Sequence, residues 1–361
     1  MTNAAELAEG ALPPGSPWDA VFAAVPRRAF LPRAYVWSVS SWRQVSASSG
    51  PGREHLRRLA ATDATVVVQL GADGEPVASC LQPSMAARIL DAAAIEDQHR
   101  VLELGTGTGY LTALLCGRLS SGHVVTVEID PELARLAAVL LDAWGCRPRL
   151  VAADGTGGYP GQAPYDRVIA TYSVRWIPTA WIQQTRPGGV LVVPVHSGLA
   201  RLVVSGEGTA SGRFLPHPAY ILPGRPTAAA APAASAPPAG PTRPTRLPSR
   251  VVFDDDFRFF LDLAAPWLRP PDGHDPSAVA LHANDGSWAR VGLGGVLEAG
   301  PRRLWEEVER AHAEWCELHQ PGRSRFRLTV AGASQTVWLD TETGERGWPL
   351  TREPALLATS W

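Results

Sequence analysis

Short apolar runs recur through the middle of the chain: Val101 to Leu104, Val124 to Glu128, Leu150 to Gly155, Tyr165 to Thr171 and Val190 to Val195. Each is rich in strand-forming residues, and the stretches between them carry helical spacing, as in Leu111, Leu114 and Leu115. Strands alternating with helices predict an α/β chain with a doubly wound, mainly parallel sheet and helices on both faces. The ligand crevice of such a sheet lies beyond the carboxyl ends of its strands.

Upstream, Val21, Phe22 and Val25 predict a short amphipathic helix stopped by Pro26 and Pro32. Residues 40–63 are polar, with Gly50-Pro51-Gly52 expected as a turn, and 64–70 reads as a strand. Residues 86–94 read as a helix that accepts Pro83 in its first turn, and the small polar residues before it are expected to cap it. Downstream, 201–204 and 219–223 are expected to form a hairpin that finishes the sheet. Residues 224–250 hold seven prolines and almost nothing apolar beyond alanine. Such a stretch cannot form a core and predicts an extended linker reaching up to about 80 Å. Beyond it, Leu304, Val308, Ala311, Trp315 and Leu318 make one stripe of a helix over 301–319, and 326–330 with 335–339 read as a closing hairpin. Phe253 to Phe260 mixes acidic and aromatic residues, which suits a helix with one buried face or a surface for a basic or apolar peptide. The expected organisation is a disordered stretch over 1–17, a helical cap and substrate-side segment over 18–98, a nucleotide-binding core over 99–223, a linker over 224–250 and an α+β unit over 251–361.

The candidate chemistry gathers at the strand ends. Gly105, Gly107 and Gly109 follow the first run directly and precede a helix, so the backbone can approach a ligand closely and the helix offers unpaired N–H groups. Glu128 ends the second strand, 19 residues beyond Gly109, where a carboxylate can accept from both ribose hydroxyls. Asp154-Gly155 and Thr171 end the third and fourth strands. A nucleotide-like ligand follows, and the same features admit a nicotinamide dehydrogenase or a catalytically silent peptide-binding fold.

Composition removes other classes. The formal charge of -2 offers no field for nucleic acid or an anionic membrane, and every cationic side chain is Arg, which excludes a Schiff-base or P-loop lysine. Cys80, Cys116, Cys146 and Cys316 are scattered, which predicts neither a disulfide scaffold nor a zinc ribbon and suits a reducing cytoplasm. No stretch approaches the ~20 apolar residues of a membrane span. His312, Cys316 and His319 share helical spacing, but no fourth metal ligand is evident, so no metal is expected.

VLELGTGTGY at 101–110, TVEID at 126–130, ADG at 153–155, APYDRVIAT at 163–171 and PGGVLVVPV at 187–195 resemble the S-adenosylmethionine motifs of protein-L-isoaspartate O-methyltransferases. VPRRAFLPRAY at 25–35, LQPSMAARIL at 81–90 and AYILP at 219–223 are similar to that family too. The resemblance implies a Rossmann-like class I methyltransferase sheet with an added C-terminal α+β domain. It assigns Gly105, Thr106, Gly107 and Gly109 to the cofactor turn, Glu128 to the ribose, and Asp154 and Gly155 to the adenine, with Glu103 and Ile129 as further cofactor-binding residues. Where the family carries Ile-Ser before Gln-Pro, this chain has Cys80-Leu81, leaving Ser79, Ser84 and Thr171 as the hydroxyls expected to position the acceptor carboxylate. The linker and the Trp-rich C-terminal unit resemble the branch that modifies ribosomally made peptides such as graspetides and lanthipeptides. That branch implies a peptide or protein substrate bearing Asp or isoAsp, with a leader or core peptide held by the C-terminal domain.

Overall fold

A computed structural model describes residues 4–351 other than 9, 40, 207, 226–241, 270–278, 284, 293, 342 and 343. The N-terminal part contains α1 (Ala4–Ala8), α2 (Asp19–Ala24), β1 (Arg33–Ser38), β2 (Ser41–Ser46), α3 (Gly50–Ala60), β3 (Val66–Leu70), β4 (Pro76–Cys80) and α4 (Pro83–Ala93). Residues 1–17, expected to be disordered, thus include a helical turn whose Ala8 is buried. The Gly50-Pro51-Gly52 turn is instead the start of α3: the Ser49 hydroxyl accepts from the Gly52 N–H at 3.1 Å, and Pro51 sits in the first turn, where no N–H is needed. The start of α4 has no side-chain cap from Gln82; Asp63 reaches across to accept from the Ser84 N–H at 2.9 Å. Strands β1 to β4 form a separate antiparallel sheet in the order β2-β1-β3-β4.

The core follows with β5 (Val101–Leu104), α5 (Tyr110–Arg118), β6 (Val124–Glu128), α6 (Pro131–Ala143), β7 (Arg149–Ala152), β8 (Tyr165–Ala170), α7 (Thr179–Gln183), β9 (Thr185–Val195), β10 (Gly198–Gly206) and β11 (Thr209–Pro218). Strands β7-β6-β5-β8-β9 pair in parallel, and order reverses at β5, which places the crevice beyond its carboxyl end. All four β5 residues are buried, as a central parallel strand requires. Leu102 and Leu104 pack to one face, while Val101 joins the opposite core with Leu114 of α5 and Leu141 of α6.

The C-terminal part comprises α8 (Asp255–Ala264), β12 (Val279–His282), β13 (Trp288–Gly292), β14 (Gly295–Ala299), α9 (Leu304–Glu317), β15 (Phe326–Ala331), β16 (Ser334–Thr341) and β17 (Gly344–Pro349). The strand that pairs with β10 in the expected hairpin is β11 at 209–218 rather than 219–223, and this hairpin does not finish the sheet. β15 pairs with β11, from Thr209–Ala331 to Arg213–Arg327, and the ten-stranded sheet runs on through β16 to β17. The apolar core is continuous as well, running from Leu102 and Leu104 to Phe257, Phe259, Trp305 and Trp348. Phe259 meets Phe214 edge-on, with ring centroids 4.7 Å apart. The acidic-aromatic segment therefore does not present its rings as a surface. Phe257, Phe259 and Phe260 are fully buried, Asp254 caps α8, Asp255 accepts from the Tyr220 hydroxyl at 2.6 Å and Asp256 pairs with the buried Arg323 at 3.1 Å. Of the expected linker, 226–241 lie outside the described residues. Its flanks are pinned: Gly224 N–H donates to Ser173 O at 3.0 Å, and Arg243 pairs with Glu298 and Glu309.

Candidate active site

The glycine turn is held open by backbone conformations that L side chains avoid. Gly105, Gly107 and Gly109 have φ of +98°, +57° and +92°. A Cβ on Gly105 would stand 2.4 Å from Thr171 Oγ1, and one on Gly109 would stand 3.0 Å from Leu141. The turn is fastened to the neighbouring strands. Gly105 and Thr106 N–H both donate to Val127 O, and Thr171 Oγ1 donates to Gly105 O at 2.5 Å. Gly107 N–H donates to Glu128 Oε2 at 2.8 Å, and Asp130 N–H donates to Oε1 at 3.1 Å. Burial raises the pKa of the Glu128 carboxyl, although these two N–H bonds favour its ionised form.

A cleft of about 400 Å³ opens beside the turn, within the size range of small-molecule sites. Among the residues singled out in the sequence, Ser79, Gly105, Gly107, Glu128, Ile129, Asp154, Gly155 and Thr171 line it. A smaller recess of about 30 Å³ shares Ser79, Gly105, Gly107 and Thr171 with the cleft and adds Leu81, Glu103 and Thr106. Two residues stand apart. Gly109 is the N-cap of α5 rather than a lining residue, and Ser84 is buried in the first turn of α4, accepting from Gln82 Nε2 at 3.2 Å. Glu103 lies wholly buried beneath the turn, where Thr112 donates to its Oε2 at 2.5 Å; burial pushes its carboxyl up to about 7.

These residues fit S-adenosylmethionine. The turn allows close backbone approach, each Glu128 oxygen keeps a lone pair for a ribose hydroxyl, and Tyr172 stands over Gly155 as an aromatic wall. Among the described residues no group of three His, Cys, Asp or Glu side chains is set to hold a metal; His312 packs against Phe257 and Trp315.

A family model described as Protein-L-isoaspartate(D-aspartate) O-methyltransferase (PCMT) matches residues 18–209. The chain belongs to this family. This methyltransferase is 35% identical over 170 residues to the protein-L-isoaspartate O-methyltransferase of Ignicoccus hospitalis, covering 45% of this chain and 78% of the relative. With the enzyme of the same name from Azorhizobium caulinodans it shares 38% identity over 143 residues, 39% of this chain and 61% of the relative. A solved structure named protein-L-isoaspartate O-methyltransferase superposes with a TM-score of 0.50 at 18% identity, covering 90% of this chain and 95% of that one. Residues 1–250 are too few to make up that share, so the likeness in fold extends into the C-terminal part. The fold is that of a class I methyltransferase, the cofactor is S-adenosylmethionine, and no helix among the described residues is long and apolar enough to cross a membrane.

Among the lining residues that escape the sequence motifs, Tyr172 and Arg225 bear most directly on the site. Tyr172 follows Thr171 in an irregular segment with no periodicity to single it out. Arg225 opens the Pro-rich stretch and so reads as linker, yet it clasps the far wall of the cleft. It donates to Asp130 Oδ2 at 2.8 Å, to Gln69 Oε1 at 2.5 Å and to Val77 O at 3.3 Å. Burial would raise the Asp130 carboxyl, but the Leu133 N–H, Arg225, Gln69 and the Glu132 N–H outweigh it and hold the group well below the usual carboxylate range.

Proposed function

We propose that this methyltransferase esterifies the side-chain carboxylate of an aspartate in a precursor peptide, and that the ester leads to an aspartimide and then to isoaspartate. The observation that carries this reading is the wall where cleft and recess meet. Ser79 offers a hydroxyl there, the Thr171 hydroxyl beside it is turned to Gly105 O, and buried Leu81 stands where the family resemblance leads one to expect serine. Asp side chains have a reference pKa near ~3.9, so the acceptor is already ionised at neutral pH and no base is required. S-adenosylmethionine supplies an electrophilic methyl group, which passes to the carboxylate oxygen as its bond to sulfur breaks. Ser79 orients the carboxylate by donating a hydrogen bond, Thr171 holds the glycine turn beside it through its bond to Gly105 O, and the apolar Leu81 keeps water from its flank. In the product, the backbone nitrogen that follows attacks the ester carbonyl and expels methanol, a closure that proximity favours.

In this reading residues 251–361 help to recruit a leader or core peptide through their outer surface, and the enzyme works in the cytoplasm, where its free thiols stay reduced. A second reading, methylation of isoaspartyl carboxylates in damaged proteins, draws support from the names of the curated relatives. Two otherwise identical peptides, one with Asp and one with isoAsp, separate the two when incubated with enzyme and S-adenosylmethionine and followed by mass spectrometry. The proposal expects methyl transfer to Asp and then loss of water relative to the starting peptide. Exclusive methylation of isoAsp sinks it in favour of repair.

A further inference from the structure

The outer face of the four-stranded sheet leads in register to the acceptor end of the cleft. Tyr35 of β1 pairs with Val67 of β3, and Val67 pairs with Ser79 of β4, so the three side chains stand on one face in a row. Two strand spacings, about 10 Å, separate Tyr35 from Ser79. Ala34, Val66 and Cys80 point the other way and are buried. The row ends on Ser79, which lines both the cleft and its recess.

At its far end this face carries aromatic surface that the fold does not use. Trp37 lies two residues beyond Tyr35 on the same face and is 59% exposed. Its cross-strand partner is Trp42, edge-on, with ring centroids 5.3 Å apart. A tryptophan exposed in this way leaves apolar area in water that a partner can cover, and such paired aromatics mark binding surfaces. Charge gives the occupant its sign. From residue 20 to residue 53 the chain has no acidic residue and five arginines, of which Arg27 is buried against backbone carbonyls, although the whole chain carries -2. Arg33 stands on the same face as Tyr35 and Trp37, while Arg43, opposite Val36 in the register, is exposed on the other face at the sheet edge.

We propose that the outer face of the β1–β4 sheet, through Trp37, Trp42 and Tyr35, docks an extended acidic segment of the polypeptide substrate adjacent to the carboxylate that is methylated. This rests on the reading that the acceptor belongs to a polypeptide. An extended chain advances about 3.3 Å per residue, so a segment three to five residues from the acceptor reaches the tryptophan pair. Ser79 orients the acceptor; the aromatic pair holds the segment and takes no part in the reaction.

The test uses the full chain and a fluorescein-labelled 12-residue peptide with one Asp-Gly flanked by glutamates, alongside a counterpart with lysines in place of the glutamates. Fluorescence polarisation is expected to show at least tenfold tighter binding of the acidic peptide. The double variant Trp37→Ser/Trp42→Ser is expected to lose about tenfold in that affinity while its affinity for S-adenosylhomocysteine stays unchanged. Arg33→Glu, which leaves the aromatic pair in place, is expected to narrow the preference for the acidic peptide. Equal binding of the two peptides, or a double variant that binds as the parent does, overturns the proposal. Methyl transfer to the same peptide keeps the two readings distinct. Binding that depends on the tryptophans without methylation supports the platform and sinks the reaction, whereas methylation with binding indifferent to them sinks the platform alone.

Discussion

The Glu128 carboxylate accepts the Gly107 N–H at 2.8 Å, tying the end of one parallel strand to the glycine turn that follows its neighbour. One side chain thereby fixes the shape of the turn and presents lone pairs to a ribose. Replacing Glu128 with Ala removes both roles. Hydrogen bonds to a charged group are worth about 1.5–3 kcal/mol, so affinity for S-adenosylhomocysteine is expected to fall by roughly 10- to 100-fold in calorimetric titration. Unchanged affinity would contradict the assignment.

The three serine and threonine candidates are expected to separate in kinetics. Ser79→Ala removes a hydroxyl at the meeting of cleft and recess, so turnover falls while cofactor binding persists. Thr171→Val also removes the bond to Gly105 O, which weakens cofactor binding as well as turnover. Ser84 faces neither space, and Ser84→Ala is expected to leave both parameters alone. Steady-state kinetics with a parallel binding measurement distinguishes these patterns, and loss of turnover in Ser84→Ala would show that the acceptor site is misplaced.

Glu103 makes stability depend on pH. Burial raises its carboxyl from an ordinary 4.5 to about 7 in the folded chain, while in the unfolded chain it stays near the ordinary value. Between those limits the folded state holds more protons, so this contribution to stability is greatest below about 4.5, declines as pH rises and levels off above about 7. The decline is on the order of 3 kcal/mol. Denaturant unfolding at pH 5 and pH 8 should show it, and Glu103→Gln should flatten the profile. A variant with the parent's slope would place the proton elsewhere.

Residues 251–361 are expected to be inseparable from the catalytic core. Removing them bares the edge of β11 and strips Phe214 of its contact with Phe259. The truncated chain should aggregate or lose cooperative unfolding, and the intact chain should unfold in one transition. A soluble truncation with the parent's cofactor affinity would contradict the shared core.

What the sequence reveals depends on the range of the contacts. The glycine turn, Glu128 and Asp154 are legible because strand, turn and carboxylate follow one another within a few residues and each type has one local reason to be there. The α3 helix hides behind Gly50-Pro51-Gly52 because a helical start and a turn use the same residues; only the Ser49 cap tells them apart. Pairing of β15 with β11 joins segments more than a hundred residues apart, and period-two alternation names no partner. Arg225 is hidden by its own neighbourhood, since its ligands Gln69, Val77 and Asp130 come from two other parts of the chain.

The central claim is that the cleft transfers a methyl group to a carboxylate. Isotope-labelled S-adenosylmethionine, the Asp and isoAsp peptides and a mild alkaline chase test it directly. The account expects label on peptide that is released as methanol in alkali, as an ester requires, and less label with Glu128→Ala at cofactor concentrations that just saturate the parent. Label that survives alkali would place the methyl group on nitrogen or carbon and contradict it.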